Sequence, residues 1–135
     1  MAPPTTTPCH HHNNARPQQQ VWVSNHGGRQ LETAPAPIDV LPSIRAAVGR
    51  EAEIVMDGGV LRGTHIAKAL ALGADAVAVG KPYLYGLAAG GHAGVRKAFA
   101  ILSEELERAM GLMGVATVTE LKERGPDLVR ARRTF

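Results

Sequence analysis

An imidazole, a guanidinium and two glycines stand together in Ser24-Asn25-His26-Gly27-Gly28-Arg29-Gln30-Leu31, directly after the apolar run Val21-Trp22-Val23. On a loop loosened by glycine, His26 and Arg29 can converge on one small anion. A histidine there moves a proton, and an arginine grips a carboxylate through two parallel hydrogen bonds. Two further loops bear on this reading. Asp57-Gly58-Gly59 offers closely spaced backbone N–H groups without Cβ obstruction, ahead of a helix, which suits a phosphate as well as it suits a plain tight turn. Gly80-Lys81 repeats the arrangement after the next strand and adds a cation. A lone histidine is more often structural; beside two phosphate-compatible loops, His26 reads as catalytic. Arg62 is either a second phosphate cation or a solvated side chain, and both readings stay open. His65 and His92 stand at helix starts without a partner in view and read as surface residues.

The elements that must position these loops alternate. Residues 21–24 read as a strand. Residues 38–48 carry Ile38, Leu41, Ile44 and Val48 at helical spacing, with Asp39 placed to cap, Pro42 expected in the first turn and Gly49 as the stop. A second strand is expected over 53–56 and a helix over 65–72 behind Thr64. The unbroken apolar run 76–79 reads as a parallel strand buried on both faces. Val95, Phe99, Leu102, Leu106, Met110 and Met113 recur at three- and four-residue intervals, the stripe of an amphipathic helix packed along one side. Three βα units with short loops imply a parallel sheet with right-handed crossovers. His26, Asp57 and Gly80 then all lie at the carboxyl ends of their strands. Two such loops on adjacent strands match the phosphate site found after the last two strands of a TIM barrel.

Composition sets the bounds. The chain has 135 residues, 44% of them hydrophobic and 20% charged, which is ordinary for one domain. Residues 1–20 are rich in Pro, Thr, His, Asn and Gln, have almost nothing to bury, and are expected to form a disordered low-complexity leader. The folded part is expected over 21–115, with a tail over 116–135. The leader has no apolar core of a secretory signal, and no run reaches the roughly 18 apolar residues of a membrane span. Cys9 is the single cysteine, so an intrachain disulfide is excluded and a reducing, cytoplasmic setting is expected. Cys9-His10-His11-His12 has ligand chemistry. A flexible polar tract, however, lacks the groups that orient ligands, so no metal site is expected. The net charge of +3 is spread among interleaved glutamates. Its densest group, Arg130, Arg132 and Arg133, has no aromatic residues between, which reads as a solvated tail rather than a nucleic-acid patch.

Four stretches taken together resemble the FMN-dependent α-hydroxy-acid dehydrogenases and oxidases, the family of glycolate oxidase, lactate oxidase and mandelate dehydrogenase. They are Ser24 through Leu31, Asp57-Gly58-Gly59-Val60, Lys68-Ala69-Leu70-Ala71-Leu72-Gly73-Ala74-Asp75-Ala76-Val77, and Gly80-Lys81-Pro82-Tyr83-Leu84-Tyr85-Gly86-Leu87-Ala88-Ala89-Gly90-Gly91. The resemblance covers about 21–115. It implies an α/β chain in which the three βα units are strands 6–8 of a (β/α)8 barrel, an incomplete barrel because eight units take roughly 250 residues. By the same resemblance His26 is the catalytic base and Arg29 the substrate-carboxylate arginine. Ser24, Asp57, Gly58, Gly59, Gly80 and Lys81 are FMN contacts. The implied reaction oxidises an L-2-hydroxy acid to the 2-oxo acid, with the proton leaving from either the α-carbon or the hydroxyl.

Two positions depart from the family pattern. Leu61 stands where arginine usually follows Asp-Gly-Gly-Val, and Lys81 where Gly-Arg is usual; lysine keeps the charge and loses the guanidinium fork. The resemblance further implies association, with a segment supplying the other barrel units or with a second copy, because three strands leave two edges and an inner face unpaired. The competing expectation is a non-catalytic half-barrel that at most binds phosphate or self-associates. A weaker one is a different phosphate-binding barrel, against which Ser24 through Arg29 argues.

Overall fold

In the computed structural model, which describes residues 19–129, three parallel strands lie in the order β1-β2-β3. They are β1 (Gln19–Val23), β2 (Ala52–Met56) and β3 (Ala76–Val77). Val21 pairs with Ile54, and Val55 with Ala76. β1 therefore takes in Gln19 and Gln20, two residues that the expected leader had claimed. The rest of that leader, with Cys9 and the histidine run, lies outside the described residues, as do Arg130, Arg132 and Arg133.

One face of the sheet is covered by helices, and on the other only Val55 of β2 is buried. Val23, Ile54 and Met56 are buried with Leu41 of α1 (Pro37–Val48) and Ala69 of α2 (Gly63–Ala71). On the other face Trp22 is 56% exposed, and Glu53 and Ala76 are exposed with it. The expected third strand, buried on both faces over 76–79, is thus corrected. It is two residues long, and helices cover one side of it. The ladder still continues through Asp75 N–H to Ile54 O at 2.8 Å and Ala78 N–H to Met56 O at 2.9 Å.

The helices correct the expected boundaries. α1 begins at Pro37, so Pro42 falls in its second turn and withholds a backbone donor there; Asp39 sits exposed in the first turn and caps nothing. Thr64 does not cap α2. Glu105 does, its Oε2 accepting Gly63 N–H at 2.8 Å while Arg62 Nε donates to the same carboxylate at 2.8 and 3.0 Å. A Cβ on Gly63 would come within 2.2 Å of Leu106 N, so glycine permits this close approach.

The last expected helix is longer and broken. α3 (Lys81–Leu112) leaves helical geometry at Gly90 and Gly91, and its two arms touch backbone to backbone at Gly86 and Gly94. Of the expected stripe, Leu102 and Met110 are buried and Leu106 partly so. Phe99 is 49% exposed. The expected tail from 116 is also corrected, since α4 (Val118–Glu123) and α5 (Gly125–Leu128) pack on α2 through fully buried Leu121. Thr117 Oγ1 accepts Glu120 N–H at 3.1 Å, and Glu120 Oε2 accepts Ala116 N–H at 2.9 Å. Threonine followed three residues later by glutamate is a helix-start signal already present in the sequence.

One carboxylate ties these parts together. Asp75 accepts from Arg45 of α1, Lys122 of α4 and, at 2.8 Å, the Ile54 amide of β2. Arg45 also donates to Gly73 O at 2.8 Å and Ala52 O at 2.9 Å. Burial pushes the Asp75 carboxyl up, but the donors from Lys122, Ile54 and Arg45 outweigh it and hold the group below the ordinary carboxylate value. A depressed folded value means that its stabilisation is complete above the unfolded pKa of about 3.9 and is lost as pH falls through the folded one.

Asp75→Asn should therefore cost about 2 kcal/mol at pH 7, a fall in Tm of roughly 5–10 °C. In thermal melts by circular dichroism, the gap from the unaltered chain should close as pH is lowered toward 2. Gly63→Ala should destabilise by about 2 kcal/mol or more through its clash with α3. Gly111→Ala, where nothing lies within 4 Å of a built Cβ, should be neutral or stabilising by about 0.5 kcal/mol.

Candidate functional site

Three loops at the carboxyl ends of the strands enclose the site. After β1, the Ser24 hydroxyl accepts the His26 N–H at 3.1 Å and the Asn25 carboxamide accepts the Gly27 N–H at 3.0 Å. Gly28 N–H bonds Asn25 O at 2.9 Å, closing a 3₁₀ turn over His26–Gly28. His26 takes φ +55°, alone among the described non-glycine residues in the left-handed region. A histidine there is uncommon, and local hydrogen bonds must hold it. Asn25 also donates to Pro35 O at 3.2 Å, and a Cβ on Gly58 would come within 3.0 Å of its Oδ1. Asn25 thus fixes the histidine turn against the loop after β2. The sequence reading passed over it, although an Asx turn before His-Gly-Gly was legible.

After β2, Asp57 accepts the Trp22 indole N–H at 3.1 Å. Gly58 and Gly59 follow at φ +93° and +72°, values that favour glycine. A Cβ on Gly59 would meet nothing within 4 Å, so this turn opens onto free space. After β3, Gly80 and Lys81 are exposed at the start of α3.

The loops surround one cavity of about 730 Å³, lined by His26, Asp57, Gly58, Gly59, Gly80 and Lys81 among others. That volume lies in the range of cofactor sites. Apolar Ile38, Met56, Val60 and Ala78 form part of its wall. Ser24 and Arg29 are outside the lining. Ser24 faces a small hollow beside Asn25 and Pro35, and serves the site by holding the His26 amide. Arg29 is exposed just past the turn.

Several side chains differ from their expected places. Arg62 is committed to Glu105, whose carboxyl is held below its ordinary value by Arg62 and the Gly63 amide. Arg62 is also absent from the cavity lining. His65 is half-buried and lines the cavity, its Nδ1 lying 3.2 Å from Gly59 O and 3.3 Å from Leu61 N. It is not the surface residue expected. Lys68, one turn further along α2, lines the cavity as well. His92 is exposed. No group of three His, Cys, Asp or Glu among the described residues is placed to hold a metal, and no described helix is long and apolar enough to cross a membrane.

Residues 15–128 match the family described as FMN-dependent dehydrogenase. An L-lactate oxidase of Lacticaseibacillus rhamnosus is 52% identical over 103 residues, 76% of this chain and 28% of that protein. The 2-hydroxyacid oxidase 2 of Mus musculus is 48% identical over 111 residues, 82% of this chain and 31% of its own length. A solved mandelate oxidase variant with a monooxide FMN adduct superposes with a TM-score of 0.74 at 47% identity, covering 76% of this chain and 33% of that one. The chain thus spans about a third or less of the length of these relatives. With its three parallel strands, its glycine-lined cavity and the match over 15–128, the chain belongs to the FMN-dependent dehydrogenase family.

Proposed function

We propose that this chain forms the flavin- and substrate-facing part of an enzyme that oxidises an L-2-hydroxy acid to the 2-oxo acid. Its three βα units correspond to strands 6–8 of a (β/α)8 barrel, over about 21–115, and work together with the other units of that barrel. The observation that carries this reading is the single cavity joining His26, the Asp57-Gly58-Gly59 turn and Gly80-Lys81 at one end of a parallel sheet. The residues fit FMN. Gly59 and Gly80 leave room for close approach, Lys81 offers a cation to the phosphate, Asp57 an acceptor to hydroxyl groups, and the wall beside them is apolar. Bound there, FMN supplies the acceptor for the two electrons that leave the substrate.

The chain's own residues do the rest. His26 takes the proton, from the α-carbon or the hydroxyl according to the route, and the hydrogen bonds of Ser24 and Asn25 keep its turn in the left-handed conformation. Arg29, at the rim beyond Gly28, grips the carboxylate with the bidentate geometry that a guanidinium allows. The single cysteine, Cys9, suits a cytoplasmic setting. A second reading, a non-catalytic half-barrel that self-associates, is favoured by the open sheet face at Trp22 and by exposed Tyr83, Leu84 and Phe99.

The test is the absorbance spectrum of the purified chain after incubation with FMN and desalting. Retained yellow colour, bleached anaerobically by L-lactate, glycolate or mandelate, is the expected result. His26→Gln should keep the flavin and slow the bleaching by about 10²–10⁴-fold. Colourless protein that elutes as an oligomer would favour the second reading.

A further inference from the structure

The cavity holds more positive charge than the strand-end loops bring to it. His65 and Lys68 stand three residues apart on α2, so they share one helix face, and both line the cavity with Lys81 of α3. Leu61 lies beside them and carries no charge, while Arg62 is occupied by Glu105. The His65 ring is held by the glycine turn itself, through Nδ1 against Gly59 O and Leu61 N. When Nδ1 accepts from Leu61, the ring proton sits on Nε2. When the ring is an imidazolium, Nδ1 donates to Gly59 O and Nε2 still carries a proton. Both states give the ring a second N–H donor. The carboxylates on the same lining are Asp57, engaged by Trp22, and Glu32.

We propose that His65 and Lys68 of α2, together with Lys81, form the grip for a phosphate monoester, so that the cationic side of the site is built on a helix face and not at position 61. This deepens the flavin reading and rests on it only for the identity of the monoester. Any ligand ending in a dianionic phosphate meets the same two ammonium groups and the imidazole N–H.

The experiment compares FMN with riboflavin, which lacks the phosphate, by equilibrium dialysis against the full chain and against His65→Gln/Lys68→Gln. Far-UV circular dichroism serves as the fold check, and Lys68→Gln alone gives a milder variant at an exposed side chain. The expected result is a loss of roughly tenfold in FMN affinity in the double variant with riboflavin affinity unchanged. Equal losses for both flavins, or no loss for either, overturn the proposal. If the unaltered chain takes up neither flavin, the flavin reading fails, and inorganic phosphate followed by ³¹P NMR decides this one. Phosphate binding that weakens in the double variant supports the grip. Phosphate binding that is absent, or indifferent to the substitutions, overturns it.

Discussion

The carboxylate of Asp75 is the point on which four segments of the chain close. Burial works against its charge, and it stays ionised because Lys122, the Ile54 amide and Arg45 donate to it from three different elements. Arg45 extends the same network to the carbonyls of Gly73 and Ala52, which precede β3 and open β2. A half-buried charge with this many donors is costly to leave unpaired, so α1, α4 and the two strand starts are held in one relation. Asp75 and Ala52 lie at the amino ends of β3 and β2 and Ile54 in the middle of β2, so this network is separated from the cavity, which lies at the carboxyl ends of the strands.

The separation decides the electrostatics of the cavity. Among the described residues, the ion pairs Arg45–Asp75, Lys122–Asp75, Arg62–Glu105 and Arg124–Glu120 involve no side chain of the cavity lining. The carboxylates of those pairs, Asp75, Glu105 and Glu120, are engaged away from the cavity lining. What remains around the glycine turns is His26, His65, Lys68 and Lys81 against Asp57 and Glu32. The two ammonium groups and the imidazoles give this concavity N–H donors for an anion, and its apolar wall weakens the screening that water would impose.

The sequence made the sheet and the strand-end loops legible because both rest on local rules. Short apolar runs ahead of glycine turns put His26, Asp57 and Gly80 on one face, and they are found there. What it hid was set by distant partners. Glu105 is 42 residues from the Gly63 amide that it caps, so no local pattern could transfer the cap away from Thr64 or pair Arg62 with a carboxylate. His65 reads as a surface residue until the turn four residues earlier folds back onto its ring. Gly86 and Gly94 precede the expected stripe that starts at Val95, and their backbone contact, across the break at Gly90 and Gly91, is not a local pattern either. The threonine–glutamate pair before α4 was readable and was passed over. The two departures at Leu61 and Lys81 were visible from the start, but their consequence depends on which face of α2 meets the cavity.

Trp22 joins the uncovered sheet face to the site. It lies on the side of β1 opposite the helices, 56% exposed, yet its indole N–H holds the Asp57 carboxylate after β2. The exposed surface of Glu53 and Ala76 lies on the same side. Any layer that comes to cover this face must pack against Trp22 and restrict its rotamers, and a fixed indole restricts Asp57 in turn. Asp57 opens the glycine turn, Gly58 packs on Asn25, and Asn25 sets the turn that carries His26. The order of the His26 loop is therefore coupled, through four neighbouring side chains and backbones, to whether the open face of the sheet is covered.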